Sequence, residues 1–122
     1  MDHSPGFLKI VDDAKARVRE VTVAETQARL ATNPNAVLVD VREDLEWQAG
    51  HAAPALHIGK GVIERDVEKL IPDKHAEVIL YCGGGFRSAL AGDAMQTMGY
   101  TNVTSMAGGW RSWNDAKAPV AQ

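Results

Sequence analysis

The run Glu77-Val78-Ile79-Leu80-Tyr81-Cys82-Gly83-Gly84-Gly85-Phe86-Arg87-Ser88 decides how this 122-residue chain folds. Glu77 to Tyr81 is short and almost wholly apolar, the pattern of a strand buried on both faces. From Ser88 to Met98, Leu90, Ala91, Ala94, Met95 and Met98 recur at helical spacing, and Gly99 stands where a helix stops. A buried strand, a glycine-rich loop and a helix in direct succession are the start of a crossover unit in a parallel sheet.

The same alternation extends to both sides of the run. Upstream, Phe7 to Val18 carries Phe7, Ile10, Val11, Ala14 and Val18 on one stripe and predicts an amphipathic helix. Thr22 followed by Glu25 is a capping box that opens a helix to about Ala31, and Asn33-Pro34-Asn35 stops it. Ala36 to Val41 reads as a buried strand, Asp44 to Ala49 as a short helix, Ala55 to Ile58 as a short strand and Val62 to Leu70 as a charged helix. Pro72-Asp73 makes a turn. Downstream, Val103 to Met106 is a strand and Gly109 to Ala116 a helix before Pro119. The expected class is α/β, a mostly parallel sheet with helices on both faces, in which ligands bind at the carboxyl ends of the strands. Residues 1–20 are read as a helix packed on or flanking the domain, and 21–120 as the single domain itself.

Composition narrows the function. Thirteen Lys and Arg against 16 Asp and Glu give a formal charge of −3, which excludes a general polyanion binder, so no nucleic-acid partner is expected. No apolar run reaches the ~18 to 20 residues that span a bilayer, so no membrane partner is expected either. Met1-Asp2-His3-Ser4-Pro5 lacks the basic start and apolar run of a secretory signal, and the expected location is cytoplasmic. The single Cys82 excludes an internal disulfide or a Cys-x-x-Cys redox pair. His3, His51, His57 and His75 are scattered, and no metal site is read.

Three consecutive glycines cost backbone entropy and offer nothing to pack. At the entry to a helix they let several N–H groups converge on one point, with the positive end of the helix dipole behind them. A cysteine at the mouth of that cradle is held as thiolate, the nucleophilic form. Arg87 either adds charge from the helix start or bonds loop carbonyls. Lacking a resolving partner on its own chain, Cys82 must pass whatever it picks up to another molecule.

At this loop the sequence resembles the rhodanese-like sulfurtransferases, in their single-domain form. Asp40-Val41-Arg42-Glu43 is similar to the family's early strand-end motif, Gly50-His51 to the start of its next segment, Cys82 to Ser88 to its active-site loop, and Gly108-Gly109-Trp110-Arg111-Ser112-Trp113 to its closing motif. The resemblance runs from about Val21 to Val120 and departs after His51, where this chain has Ala52-Ala53-Pro54-Ala55. It implies a five-stranded sheet covered on both faces, with the loop at its carboxyl edge. It also implies transfer of a sulfane sulfur from thiosulfate or a similar donor to cyanide or a thiol, through a covalent persulfide on Cys82 and without a cofactor. Gly83, Gly84, Gly85, Phe86 and Arg87 would then bind the donor and the persulfide.

The supporting candidates are Asp40 and Arg42 at a strand end, Arg65 in the charged helix and Ser88 at the helix start. For Asp40 and Arg42, mutual bonding and contacts with neighbouring loop amides compete with substrate contact. Arg65 lies either at the pocket rim or on a solvated face. His51 is read as pinning the turn that follows it, Glu43 as starting a helix, and Trp110 and Trp113 as core. The Cys-x4-Arg spacing of Cys82 and Arg87 is one residue shorter than the Cys-x5-Arg of related cysteine phosphatases and arsenate reductases, and the smaller ring suits a single sulfur atom better than a tetrahedral oxyanion. A non-turnover persulfide carrier or regulatory module, loaded by a sulfur-relay protein, needs the same thiolate and stays open beside the enzyme.

Overall fold

A computed structural model describes residues 3–122; Met1 and Asp2, the start of the stretch read for a leader, lie outside it. The elements in chain order are α1 (Pro5–Lys15), β1 (Arg19–Val21), α2 (Val23–Thr32), β2 (Val37–Asp40), α3 (Asp44–Ala49), β3 (His51–Ala52), β4 (Leu56–His57), α4 (Ile63–Leu70), β5 (Val78–Tyr81), α5 (Phe86–Thr97), β6 (Val103–Met106), α6 (Gly109–Asp115) and β7 (Val120–Ala121). Five strands form one parallel sheet in the order β1-β6-β5-β2-β4. β3 and β7 pair antiparallel beside it.

Strand alternation sorts the core into two layers. Val78 and Leu80 of β5 face Val39, Ile63, Val67 and Met95. Ile79 and Tyr81 face Leu38, Met106 and Trp113 on the opposite side. Every side chain of β5 is buried, which explains why that strand reads as an unbroken apolar run. Each such aliphatic side chain contributes roughly 1.5–3 kcal/mol through its removal from water.

Local signals set the boundaries. Pro5 occupies the first turn of α1, where a missing N–H costs nothing, so the helix starts two residues before Phe7. The Thr22–Glu25 box is closed in both directions, Thr22 Oγ1 accepting from Glu25 N and Glu25 Oε1 from Thr22 N. α5 begins at Phe86 rather than Ser88, so Phe86 and Arg87 belong to its first turn. The fifth strand implied by the resemblance is β1, an edge strand whose three residues bury Val21 alone and so offer no alternation to read. β3 and β7, two residues each, are too short to carry a sequence pattern.

α1 packs across α5, burying Val11 and Ala14, with Val18 buried just beyond it. At Gly92 of α5 a Cβ would stand 3.0 Å from Val18 Cγ1, so the missing side chain lets this segment sit close to α5. Arg17 then ties it down, donating to both carboxylate oxygens of Asp93 at 2.7 Å. No helix among the described residues is long and apolar enough to cross a membrane.

Candidate active site

Cys82 follows the last residue of β5 at the carboxyl edge of the sheet, with a strand on either side of β5. Gly85 takes φ +102° as the cap of α5, a conformation that costs glycine little. This turn brings the Gly85 N–H back onto the Cys82 sulfur, to which it donates at 3.1 Å. Ser88 Oγ lies 3.5 Å from the same sulfur and 2.7 Å from Ser105 Oγ. A thiolate only accepts, so in the anionic state Ser105 donates to Ser88 and Ser88 to Cys82.

These donors favour the charged form of the sulfur. Burial pushes the Cys82 thiol up, but the Ser88 hydroxyl and the N–H groups of Ser88, Gly85 and Gly84 outweigh burial and bring it below its ordinary value. The residue as a whole is 1% exposed, so the sulfur is sheltered from solvent. The loop is open at Gly84, where an added Cβ would meet no atom within 4 Å.

Two neighbours brace the loop from below. Trp110 N donates to Cys82 O at 2.7 Å and Arg111 N to Gly83 O at 3.3 Å, so the start of α6 holds the loop carbonyls and frees its amides for the sulfur. Gly109 makes that approach with φ +50°, and a Cβ there would stand 2.3 Å from Cys82 O.

Arg87 bonds no loop carbonyl, and its side chain is about one-third exposed. Its guanidinium forms a fork with Glu46 of α3, Nη1 to Oε1 at 2.7 Å and Nη2 to Oε2 at 3.1 Å. The hydrogen bonds from Arg87 hold the Glu46 carboxyl below the usual glutamate range. Asp40 and Arg42 pair in the interior: Arg42 Nη2 donates to Asp40 Oδ2 at 2.8 Å and to Gly50 O at 2.6 Å, with its guanidinium carbon 4.7 Å from the Trp110 ring centroid. Arg42 thereby links β2, the start of β3 and α6 beneath the loop. Burial and the Asp40 carboxylate push the Tyr81 phenol well up, and its oxygen accepts from Ala52 N.

Arg65 is turned to the surface, 73% exposed, against its own neighbour Asp66. His51 stacks flat on Trp47 at a centroid distance of 3.4 Å, with Nδ1 2.9 Å from Trp47 O. Two open clefts, about 490 and 460 Å³, do not include Cys82 in their walls; one runs along Arg19, Arg29, Glu77 and Thr104 at the opposite edge of the sheet, the other beside Arg42, Leu45 and Val62. Sequence reasoning missed Glu46, Ser105 and the packing of His3 and Phe7 on Phe86. A carboxylate in a short helix, a serine in a buried strand and a histidine ahead of a helix carry no signal until the fold brings them together.

A sequence profile of the Rhodanese-like domain matches residues 22–116. The tRNA uridine(34) hydroxylase of Sodalis glossinidius (strain morsitans) is 34% identical over 98 residues, which cover 77% of this chain and 28% of that protein; the chain thus spans little more than a quarter of that relative's length. "Putative sulfurtransferase YtwF" of Bacillus subtilis (strain 168) is 29% identical over 102 residues, 84% of this chain and 96% of the relative. Among solved structures, RPA3614 from Rhodopseudomonas palustris CGA009, labelled "Possible Tyrosine Phosphatase", superposes with a TM-score of 0.86 at 25% identity, covering 99% of this chain and 98% of that one. The matched stretch contains the cysteine, the glycine cradle and the brace from α6, and by that match the chain belongs to the rhodanese-like family of sulfurtransferases.

Proposed function

We propose that the protein moves a sulfane sulfur from thiosulfate or a similar donor to cyanide or a thiol through a persulfide on Cys82. The observation that carries this reading is the Gly85 N–H aimed at the Cys82 sulfur from 3.1 Å. In the first step the Cys82 thiolate attacks the outer sulfur of thiosulfate, the sulfur–sulfur bond of the donor breaks, and sulfite leaves with the electron pair. In the second, cyanide attacks the terminal sulfur of the persulfide, thiocyanate leaves, and Cys82 returns as thiolate. Charge is conserved in both steps, and no cofactor takes part.

Preformed main-chain donors suit this chemistry because the negative charge moves by only one sulfur atom, from Sγ to the terminal persulfide sulfur. Arg87 and Glu46 neutralise each other and act on the loop mainly as a brace. Asp40 and Arg42 are supports of the same kind.

A phosphatase reading fits less well. Four residues separate Cys82 from Arg87, and Arg87 is already engaged by Glu46 rather than free to grip a tetrahedral anion. The test is thiocyanate formation by the protein beside Cys82→Ser, with intact mass after thiosulfate alone. One added sulfur on Cys82 and turnover lost in Cys82→Ser are expected. Equal activity in the two proteins overturns the reading, loading without turnover makes the protein a carrier, and phosphate release from an aryl phosphate makes it a phosphatase.

A further inference from the structure

α1 and the residues just ahead of it lie outside the stretch matched to the family, 22–116, yet they reach the active-site loop. The His3 ring meets the Phe86 ring edge-on at a centroid distance of 4.7 Å, and Phe7 lies 6.2 Å from Phe86 and 5.3 Å from His3. Lys15 Nζ stands 4.8 Å from the centroid of the Phe86 ring and 3.8 Å from Glu20 Oε2. Phe86 is the residue between Gly85, which holds the sulfur, and Arg87, which is held by α3. The exit of the loop is therefore flanked by two chemically different elements. One is ionic, Glu46 with Arg87; the other is aromatic, His3 and Phe7 with Phe86.

The aromatic side is firmly placed. The Arg17–Asp93 fork and the close approach of Val18 to Gly92 fix α1 on α5, whose own first residue is Phe86. Phe7 and Phe86 are only half-buried, and His3 is exposed, so the cluster keeps ring surface open beside the loop. Ring faces attract hydrocarbon and divalent sulfur, whereas cyanide and sulfite offer them neither.

We propose that His3 and Phe7 are specificity-determining residues, forming with Phe86 a wall that receives the carbon portion of an organic thiol acceptor. The inference rests on the sulfur-transfer reading above and names the class of acceptor at that site. The thiolate of the acceptor attacks the outer sulfur of protonated Cys82 persulfide, the sulfur–sulfur bond breaks with its electron pair returning to Cys82, and the acceptor leaves as a hydropersulfide carrying the proton. No oxidant or reductant is consumed.

The test uses the full chain loaded with thiosulfate and compares benzyl mercaptan with cyanide as acceptors. In Phe7→Ala and His3→Ala the ratio of kcat/KM for benzyl mercaptan to that for cyanide is expected to fall about three- to tenfold. Phe7→Leu, which keeps apolar bulk for the packing of α1, is expected to show part of the same fall. An unchanged ratio overturns the wall, because a merely structural role lowers both acceptors together. A second measurement needs no sulfur transfer: alkylation of Cys82 by iodoacetamide against its N-phenyl derivative. The aromatic reagent is expected to lose its relative advantage in Phe7→Ala, and equal relative rates in the two proteins overturn the wall. A wall supported by alkylation in a protein that forms no persulfide would overturn the sulfur-transfer reading alone.

Discussion

Arg87 and Glu46 face each other through two hydrogen bonds, 2.7 and 3.1 Å, that join the first turn of α5 to α3. The pair places a positive group beside the Cys82 sulfur and cancels most of its charge in the same contact, since the Cys82 thiolate and Glu46 both act on Arg87. The two residues therefore have opposite effects on an anionic donor. Glu46→Gln leaves the guanidinium uncompensated and is expected to lower KM for thiosulfate about two- to fivefold; Arg87→Ala is expected to raise it by a similar factor. Both groups are about one-third exposed, which keeps the effects small and makes them shrink with added salt. Steady-state kinetics at two ionic strengths checks this, and changes of the same sign in both variants would contradict it.

The charge state of Cys82 gives a second prediction, with a definite sign. Because the folded environment lowers the thiol's pKa, the thiolate persists to lower pH than for a free thiol, and alkylation should reach half its maximal rate below the ordinary midpoint of ~8.5. Removing the hydroxyl in Ser88→Ala leaves the opposing effect of burial in place with fewer donors. The midpoint then moves up, and the rate at pH 7 falls severalfold while the plateau at high pH is kept. Ser105→Ala, one step further along the same hydroxyl chain, should move the midpoint less. A Ser88→Ala profile that overlays the parent would show the hydroxyl does not bear on the sulfur.

The sequence exposes some of these features and hides others for physical reasons. β5 and the loop after it are legible because complete burial demands an unbroken apolar run and a tight cradle demands glycine. The capping box at Thr22 and Glu25 is legible because both halves lie within four residues. By contrast, Glu46 meets Arg87 across 41 residues of chain, and Ser105 meets Ser88 across 17. Neither contact leaves a local pattern, since a single polar residue at the right place suffices. β1 is hidden because an edge strand of three residues buries one side chain. The path of Arg87 illustrates the limit: a positive group at a helix start suggests interaction with the loop or its ligand, but a partner on another element takes it.

A third prediction concerns the interior pair. Asp40 is fully buried and Arg42 nearly so. Burial opposes the charge on Arg42, and the hydrogen bonds it donates to Asp40, together with the negative charge of that carboxylate and its neighbours, more than restore it. Arg42→Ala leaves the carboxylate buried without its partner and strips Gly50 O of a donor, at an expected cost of about 3–5 kcal/mol in urea unfolding. Asp40→Asn with Arg42→Met removes both charges and should cost clearly less than Arg42→Ala alone. A double variant as unstable as the single one would locate the loss in packing against Trp110 rather than in the unpaired charge.

The last prediction separates two glycines of the site by what surrounds them. At Gly109 a Cβ would stand 2.3 Å from Cys82 O and 2.9 Å from Cys82 C, main-chain atoms that cannot swing aside. The backbone there has φ +50°, which adds strain for any side chain. Gly109→Ala must therefore push the start of α6 off the loop and lengthen the 2.7 Å bond from Trp110 N to Cys82 O. The expected cost is more than about 2 kcal/mol of stability. The alkylation midpoint of Cys82 should rise as well, because the loop amides lose the brace that aims them. At Gly84 a Cβ meets nothing within 4 Å, and Gly84→Ala is expected to change stability by less than about 0.5 kcal/mol. Urea unfolding and the pH profile of alkylation, run on both variants, decide the matter. Equal stability losses would mean that glycine is needed throughout the loop for flexibility, whereas a loss confined to Gly109 assigns the requirement to one point of contact beneath the sulfur.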